Sequence, residues 1–474
     1  MTAIHTTHVF FLGLGGIGMS ALARHLQQMG HVVGGYDKTP SALLTQLQKE
    51  GMTVTHSTKP SDLPAWAQNA TRDTLTVVWT PAVPQDLPLL THFDVLGITP
   101  IKRAALLGQL TQSQPTLAVA GTHGKTTTSS WLAAMLDATE AGCHAFLGGI
   151  SARTGSNHLS RKGASWHVVE ADEFDRSFHH LHPTIAAITN LEPDHLDIYG
   201  TGEAFREAFE QFGTQVQKTL LLPAGLTWMD SEPSLPSQPQ IERFALIGAG
   251  ETPTGEVDHH VTWMGEEAVF NIGSNASGGD GMSPLTFTAR PALLGAHNVV
   301  NALVASIMAW HAGVDGHTIR TVVERFGGVK RRMEVHLDHP SAVYVDDYAH
   351  HPTELQALLD AVRLRWPNRE ITLVFQPHLY TRTRDFGLEF AQVLGKADGV
   401  LLLPIYPARE APIPGVDAQW LFDNISGAHT QLTTSDSIFG DLKARSVDVL
   451  VTAGAGDIDR LVPQALQHMK ARLE

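Results

Sequence analysis

Residues 8–37 read HVFFLGLGGIGMSALARHLQQMGHVVGGYD, and the reading of this stretch decides the fold. An apolar run suited to a strand enters the glycines Gly13, Gly15, Gly16 and Gly18. A helix-forming stretch follows, and a second apolar run ends in Asp37. Glycines of this kind let backbone amides approach a diphosphate at a helix N-terminus, with an acid about twenty residues on for a ribose. The pattern predicts a parallel α/β unit with a phosphate at its turn. It leaves open whether that phosphate belongs to a nicotinamide cofactor or to another nucleotide.

Composition narrows the class. A chain of 474 residues is too long for one ordinary core and suggests roughly two to four domains. Its 43% apolar content is that of a globular protein, and no apolar run approaches the length of about eighteen residues that a membrane span needs. The opening MTAIHTTHVFF lacks a basic segment before its apolar residues, so it reads as a strand and not a leader. The single cysteine, Cys143, excludes an internal disulfide and suits a reducing cytoplasm. Its setting, AGCHAFLGG, has neither a helix start nor a cation to activate a thiolate. A net charge of −15 argues against a general nucleic-acid binder, although clustered Lys and Arg can still make an anion site. The 26 histidines contain no HExxH run, and most are expected to be solvated.

Three α/β blocks are expected, at residues 1–112, 113–327 and 328–474, each with strands alternating with helical patterns. TQSQPT, around residue 113, is a polar break, and FGGVKRRME marks the second boundary. The Gly- and Ser-rich stretch 250–283 is expected to form surface hairpins and loops.

The most informative motif is AVAGTHGKTTTSS. A strand meets Gly121, Thr122, His123, Gly124 and Lys125, and Thr126, Thr127 and Thr128 open a helix. Free amides, a helix N-terminus and an ammonium form a cradle for nucleotide phosphate, with the Thr126 hydroxyl placed for Mg²⁺. The spacing is shorter than the standard phosphate loop, whose first glycine would fall at Val119. WHVVEADEFD delivers Glu170, Asp172, Glu173 and Asp175 to a strand end, where hard oxygens suit Mg²⁺. TNLEPDHLDIYG gives Asp194, His195 and Asp197, with His195 a candidate ligand for a second ion. GAHNVVNALVA sets Asn298 and Asn301 on one helix face, matching an adenine edge or serving as a cap. Lys330, Arg331 and Arg332 form a cationic triplet suited to phosphate or to solvent. VDDYAHHPTE brings Asp346, Asp347, Tyr348, His350 and His351 to a strand end. QPHLYTRTRD brings His378, Tyr380, Arg382 and Arg384, and two arginines there suit a carboxylate.

These strings, with GLGGIGMS, YPAREAPIPGV and TAGAGDID in the same order, resemble the Mur ligase family of peptidoglycan synthesis along nearly the whole chain. The resemblance implies three α/β domains: a Rossmann-like N-terminal domain for a UDP-sugar, a central P-loop-type ATPase, and a Rossmann-like C-terminal domain for an amino acid. It is nearest to the members that join L-alanine to UDP-N-acetylmuramic acid, with ATP and Mg²⁺ and through an acyl phosphate. Position by position, Lys125 resembles the γ-phosphate lysine. Thr126 and Glu170 resemble the ligands of one metal, and His195 that of a second. His297, Asn298 and Asn301 resemble the ATP-binding helix, and Arg331 the phosphate-contacting arginine. Asp346, Tyr348 and His350 resemble the ribose and amino-acid end, and His378, Arg382 and Arg384 the L-alanine pocket. Gly13, Gly15, Gly16, Gly18, Met19, Ser20 and Asp37 then meet the UDP-sugar, and the catalytic set is Lys125, Glu170, His195, Arg331 and His350. Some family members carry a carbamylated lysine after the metal histidine, whereas here no lysine follows before Lys218. Neither a nucleic acid nor a membrane partner is expected.

Two other readings compete. A recycling ligase that adds a preformed tripeptide to the same sugar would differ only in the third block, where QPHLYTRTRD and YPAREAPIPG favour a single amino acid. A nicotinamide oxidoreductase explains the first glycines but leaves GTHGKTTT, VVEADE and DDYAHHP without a task.

Overall fold

The computed structural model describes residues 4–194, 196–228, 239–253, 255–273, 283–408 and 410–473, and they form three sheets. The first contains β1 (His8–Leu12), β2 (Val32–Tyr36), β3 (Thr53–Thr55), β4 (Leu75–Trp79) and β5 (Ile101–Lys102). Its order is β3-β2-β1-β4-β5, and every pairing is parallel. The run VFFL in β1 is apolar at successive positions because both faces are covered. Val9 and Phe11 enter one apolar cluster, and Phe10 and Leu12 enter another.

The second sheet contains β6 (Thr116–Ala120), β7 (Cys143–Phe146), β8 (His158–Ser160), β9 (Trp166–Glu170) and β10 (Ile185–Ile188). It continues through β11 (Thr219–Pro223), β12 (Gln240–Gly248), β13 (His259–Trp263), β14 (Ala268–Ile272) and β15 (Leu285–Ala289). The order is β15-β14-β13-β12-β11-β10-β6-β9-β7-β8. Strands β13 through β7 in that order are parallel, and antiparallel strands close both ends. The expected hairpin character of 250–283 is seen in the β13–β14 pair.

The third sheet contains β16 (Glu334–His339), β17 (Ala342–Asp347), β18 (Ile371–Phe375), β19 (Gly399–Leu402), β20 (His429–Leu432) and β21 (Val449–Ala453). In the order β16-β17-β21-β18-β19-β20, only the β16–β17 pair is antiparallel. The last strand in sequence thus lies in the middle of its sheet. The chain forms two compact units, one of residues 1–290 with 300–326 and the other of 291–299 with 327–474. The first two sheets share one apolar cluster, in which Val9 and Phe11 join Ala118 and Ile188. No helix among the described residues is long and apolar enough to cross a membrane.

Burial reveals two clusters that the sequence did not mark and agrees with the reading of Cys143. Among the described histidines only His25, His158, His167, His259 and His351 are buried, and the others keep part or all of their surface. Around His25 the rings of His144, His158, His167 and Phe146 pack edge to face or tilted. Burial, then the neighbouring imidazoles, pushes His25 down to about 2, so this cluster behaves as an aromatic core. Cys143 is inert, because burial pushes its thiol up to about 12.

The second cluster centres on Glu242, a buried acid on β12 that the sequence did not mark. Its Oε2 lies 2.7 Å from Nε2 of His259 and 2.8 Å from Nε2 of His311. The Gly273 amide donates to Nδ1 of His259 over 3.0 Å, which leaves the ring proton on Nε2 and aims a donor, not a lone pair, at the carboxylate. The trio is therefore a hydrogen-bonded anchor and not a metal site. Burial works to raise the Glu242 pKa, but the bonds from His259 and His311 outweigh it and hold the carboxyl at about 2. A folded value below the ordinary 4.5 gives stability that is complete above that pH and lost as pH falls toward about 2. Glu242→Ala should cost about 3 kcal/mol near neutral pH, because it strands buried donors. In thermal melts the gap between wild type and variant should then narrow through that acid window.

Candidate active site

In the first compact unit two glycine turns leave parallel strands at their carboxyl ends. After β1, Gly13 turns with φ at +90°, and the Gly13 and Leu14 amides both donate to the Tyr36 carbonyl, at 2.8 and 3.0 Å. Asp37 takes its place behind the turn, accepting from the Gly15 amide at 2.8 Å and the Thr39 amide at 3.1 Å. Gly16 caps the helix Ile17–Gln28. Met19 and Ser20 are buried, and the Ser20 hydroxyl donates to the Ile17 carbonyl, so their side chains face inward.

After β6 the chain has four residues before the helix Lys125–Asp137 begins. Gly121 (φ +126°) and Gly124 (φ +84°) adopt conformations that disfavour side chains. A Cβ on Gly121 would lie 2.2 Å from Oγ1 of Thr189, and one on Gly124 would lie 2.4 Å from Oδ1 of Asn301. The loop after β10 supports the turn. Asn190 accepts from the His123 amide at 2.9 Å, and the Thr122 hydroxyl donates to the Glu192 carbonyl at 2.6 Å. Thr189, Asn190 and Glu192 were missed in the sequence, where the only signal was a polar strand end.

Lys125 Nζ donates to the carbonyls of Gly121 and Thr122, at 2.6 and 3.1 Å, and to Oε1 of Glu173 at 2.9 Å. Glu173 is itself buried. Burial raises its carboxyl to about 7 against the pull of Lys125, while burial lowers the Lys125 pKa less than Glu173 and its neighbours raise it. Thr126 and Glu170 meet as expected, the hydroxyl lying 3.0 and 2.9 Å from the two carboxylate oxygens. The Gly148 amide donates to Glu170 Oε2 at 2.9 Å, and a Cβ there would lie 2.1 Å from that atom. A hydroxyl and a carboxylate at a strand end are the hard oxygens that Mg²⁺ takes. His195 lies outside the described residues. Thr127 is buried in the first helical turn, and the Thr128 hydroxyl donates to Asn301 Oδ1 at 3.1 Å.

In the second unit, Arg331 and Met333 hold φ of 60° and 50°, conformations unusual for long side chains. Carboxylates hold them there. Glu334 accepts from the Arg331 amide at 2.8 Å, and Asp347 from the Met333 amide at 2.5 Å. The Arg331 guanidinium donates to Asp346 at 3.2 Å and to the Gly454 carbonyl at 2.6 Å, and lies over the Tyr348 ring. Asp346 is fully buried, so its carboxyl is raised by burial despite Arg331 and the Thr452 hydroxyl at 2.6 Å. Lys330 is exposed, whereas Arg332 lies 3.7 Å from Glu354. Asn298 is buried and donates to the Leu294 carbonyl at 2.8 Å, tying down the helix start, while His297 stays exposed.

Tyr348, His350, His378 and Arg382 gather beyond the ends of β17 and β18, the two strands that flank β21. His350 Nδ1 is 3.0 Å from the Tyr348 carbonyl and 3.1 Å from Glu354. The rings of His350 and His378 are 5.9 Å apart, and His378 stacks on Tyr406 at 5.8 Å. Arg382 Nη1 is 3.4 Å from His378 Nδ1. Burial, then His350 and Arg382, pushes His378 down to about 3, which keeps it neutral. Arg384 does not join them. The helix Tyr380–Leu394 turns residues two apart to different faces, so Arg382 is buried while Arg384 is exposed and bonded to Asp385 at 2.7 Å. The two arginines thus lie on different faces of this helix, Arg382 beside His378 and Arg384 toward solvent. Glu410, another residue the sequence did not mark, caps this helix by accepting from the Thr381 amide at 3.0 Å.

Comparison with known proteins agrees with this arrangement. Residues 8–115 match the Mur ligase family catalytic domain, 119–309 the Mur ligase middle domain, and 331–457 the Mur ligase glutamate ligase domain. The chain belongs to the Mur ligase family, with its three-domain α/β architecture. The UDP-N-acetylmuramate–L-alanine ligase of Cytophaga hutchinsonii is 41% identical over 98% of this chain and 97% of its own. Among solved structures, the UDP-N-acetylmuramate–alanine ligase MurC of Thermotoga maritima superposes with a TM-score of 0.76 at 24% identity, covering 98% of this chain and 99% of that one. A murein peptide ligase from Psychrobacter arcticus gives 0.69 at 24% identity, covering 98% of both chains.

Three substitutions test the geometry. Gly124→Ala places a Cβ against Asn301 in a left-handed conformation, and calorimetric titration should show nucleotide affinity reduced at least about tenfold. Arg382→Ala should raise the KM for the amino acid by about a hundredfold, whereas Arg384→Ala should stay within about twofold, because the Arg382 guanidinium is buried beside His378 while that of Arg384 lies in solvent.

Proposed function

We propose that this Mur ligase joins L-alanine to the lactyl carboxylate of UDP-N-acetylmuramic acid, consuming ATP and releasing ADP and phosphate. The observation that carries this reading is the 41% identity to an alanine-adding ligase over 98% of the chain, which includes the C-terminal unit where alanine and tripeptide ligases must differ. A carboxylate is a poor electrophile, because its charge repels a nucleophile and it lacks a leaving group. Transfer of the γ-phosphoryl group to it gives an acyl phosphate. The amine of L-alanine then attacks the acyl carbon, and the tetrahedral adduct expels phosphate.

Each group has a task in that sequence. Gly13, Gly15, Gly16 and Gly18 offer backbone approach to the UDP diphosphate, with Asp37 fixing their turn. Gly121 to Thr127 receive the ATP phosphates, and Lys125 exchanges its carbonyl partners for phosphate oxygens. Thr126 and Glu170, with His195, would hold Mg²⁺, which would neutralise charge on the transferring phosphoryl group. His297, Asn298 and Asn301 serve the nucleotide. Arg331 counters phosphate charge, and Asp346 orients it. Arg382 receives the alanine carboxylate beside neutral His378, and His350 with Tyr348 faces the amine whose proton must leave. The lone buried cysteine suits the cytoplasm, where we place the enzyme.

Phosphate release from ATP should require both UDP-N-acetylmuramic acid and L-alanine. Release with a tripeptide and none with L-alanine would overturn the assignment in favour of the recycling ligase. Lys125→Ala should lower kcat by at least about a hundredfold, and because it strands the buried Glu173 the variant should still melt cooperatively but at a lower temperature than wild type.

A further inference from the structure

The hairpin between β7 and β8 touches two functional features of the first compact unit. At its start, the Gly148 amide donates to Glu170 Oε2. At its end stands Asn157, with no exposed surface. Asn157 Oδ1 accepts from Nη1 of Arg24, and its Nδ2 donates to the Ile17 carbonyl and to the Ser20 hydroxyl at 3.0 Å. Ile17 and Ser20 open the helix behind the first glycine turn. Arg24, two-thirds along that helix, is fixed in turn by both oxygens of Glu50, at 2.8 and 2.9 Å. The hairpin is closed on itself. The Leu147 amide donates to the Asn157 carbonyl at 3.0 Å, and the Ser151 amide to the Ser156 carbonyl at 2.9 Å.

One short, internally bonded segment therefore holds the phosphate-loop carboxylate at one end and the diphosphate helix at the other. We propose that Asn157 is a positioning residue that sets the glycine-turn helix in register with Glu170, so that UDP-sugar and nucleotide each strengthen the other's binding. The proposal rests on the ligase reading above, since it takes the first turn as the UDP-sugar site and Glu170 as the metal carboxylate. Asn157 is fully buried and so offers no surface to either ligand. Its contribution is the geometry between them, and a side chain that only stabilised the fold would not separate single-ligand affinity from coupling.

The test measures binding of UDP-N-acetylmuramic acid with and without Mg²⁺ and a non-hydrolysable ATP analogue, on wild type and Asn157→Ala. Each ligand alone should bind the variant within about threefold of wild type, while the mutual enhancement disappears and kcat falls by more than about tenfold. Retained enhancement and turnover in the variant would overturn the proposal, as would a wild type that shows no enhancement. Loss of both single-ligand affinities in step with thermal stability would also overturn it. Should Asn157→Ala not melt cooperatively, Asn157→Asp decides, because it keeps the volume and the Arg24 partner but cannot donate to the Ile17 carbonyl. Coupling lost with single-ligand binding intact supports the proposal, and coupling intact overturns it. A wild type that releases no phosphate with UDP-N-acetylmuramic acid and L-alanine would refute the ligase reading and this proposal together. A wild type that turns over beside a variant with full coupling refutes the proposal alone.

Discussion

Four residues separate the end of β6 from the helix Lys125–Asp137, and the site depends on how they reverse the chain. The turn must present amides outward, keep an ammonium at the helix start and leave room for an anion. Positive φ at Gly121 and Gly124 meets the first demand, and the absence of side chains meets the last, since any Cβ would strike Thr189 or Asn301. Such a turn has few hydrogen bonds of its own. It is made rigid from the neighbouring strand, through Asn190 to the His123 amide and Thr122 to the Glu192 carbonyl. A phosphate loop one residue type away from a clash therefore depends on a second loop almost seventy positions later in the chain, which is why β10 must lie directly beside β6.

Charge is handled by the same economy of position. Lys125 and Glu173 form a buried pair, and such pairs offset their desolvation only when every hydrogen-bonding direction of the ammonium is used. Here the two loop carbonyls complete the set. The lysine is held charged at the turn by oxygens that a phosphate can replace without loss of hydrogen bonds. In the C-terminal unit Asp346 and Arg331 make a comparable arrangement, with Thr452 and the Gly454 carbonyl taking the remaining directions.

What could be read from the sequence follows from what each signal encodes. Thr126 and Glu170 were legible because both are tied to strand ends by short local patterns, and the parallel β6–β9 pairing brings such ends together. The three blocks were legible because apolar runs alternate with helical spacing. Arg384 was grouped with Arg382 by proximity in the string, but on a helix two positions is slightly more than half a turn, which sets the two on different faces. The five buried histidines could not be picked out because an imidazole that stays neutral packs like an aromatic ring, and nothing in composition says which rings are enclosed. Glu242, His259 and His311 are spread over about seventy positions, and only the sheet and the helix Ala296–His311 unite them. Glu173 was legible as an acid but not as the partner of Lys125.

The first glycine turn shows why a phosphate motif identifies a place more readily than a reaction. It follows β1, where neighbours β2 and β4 diverge in sequence to opposite sides, the topological switch at which an open parallel sheet leaves a crevice. The turn after β6 obeys the same rule between β9 and β10, and the end of β17 with the loops after β18 and β21 brings Asp346, His378 and Gly454 to one sheet end. The fold thus supplies crevices by topology alone. Chemistry enters through what the adjoining strands deliver to them. A hydride acceptor would need a stacking surface and little else charged, whereas activation of a carboxylate needs a cation, metal oxygens and a group to receive an amine's proton. Lys125, Thr126 with Glu170, and His350 beside Arg382 are residues of that second kind. The glycines of residues 13–18 are common to both chemistries, so it is these strand ends that separate a ligase from an oxidoreductase.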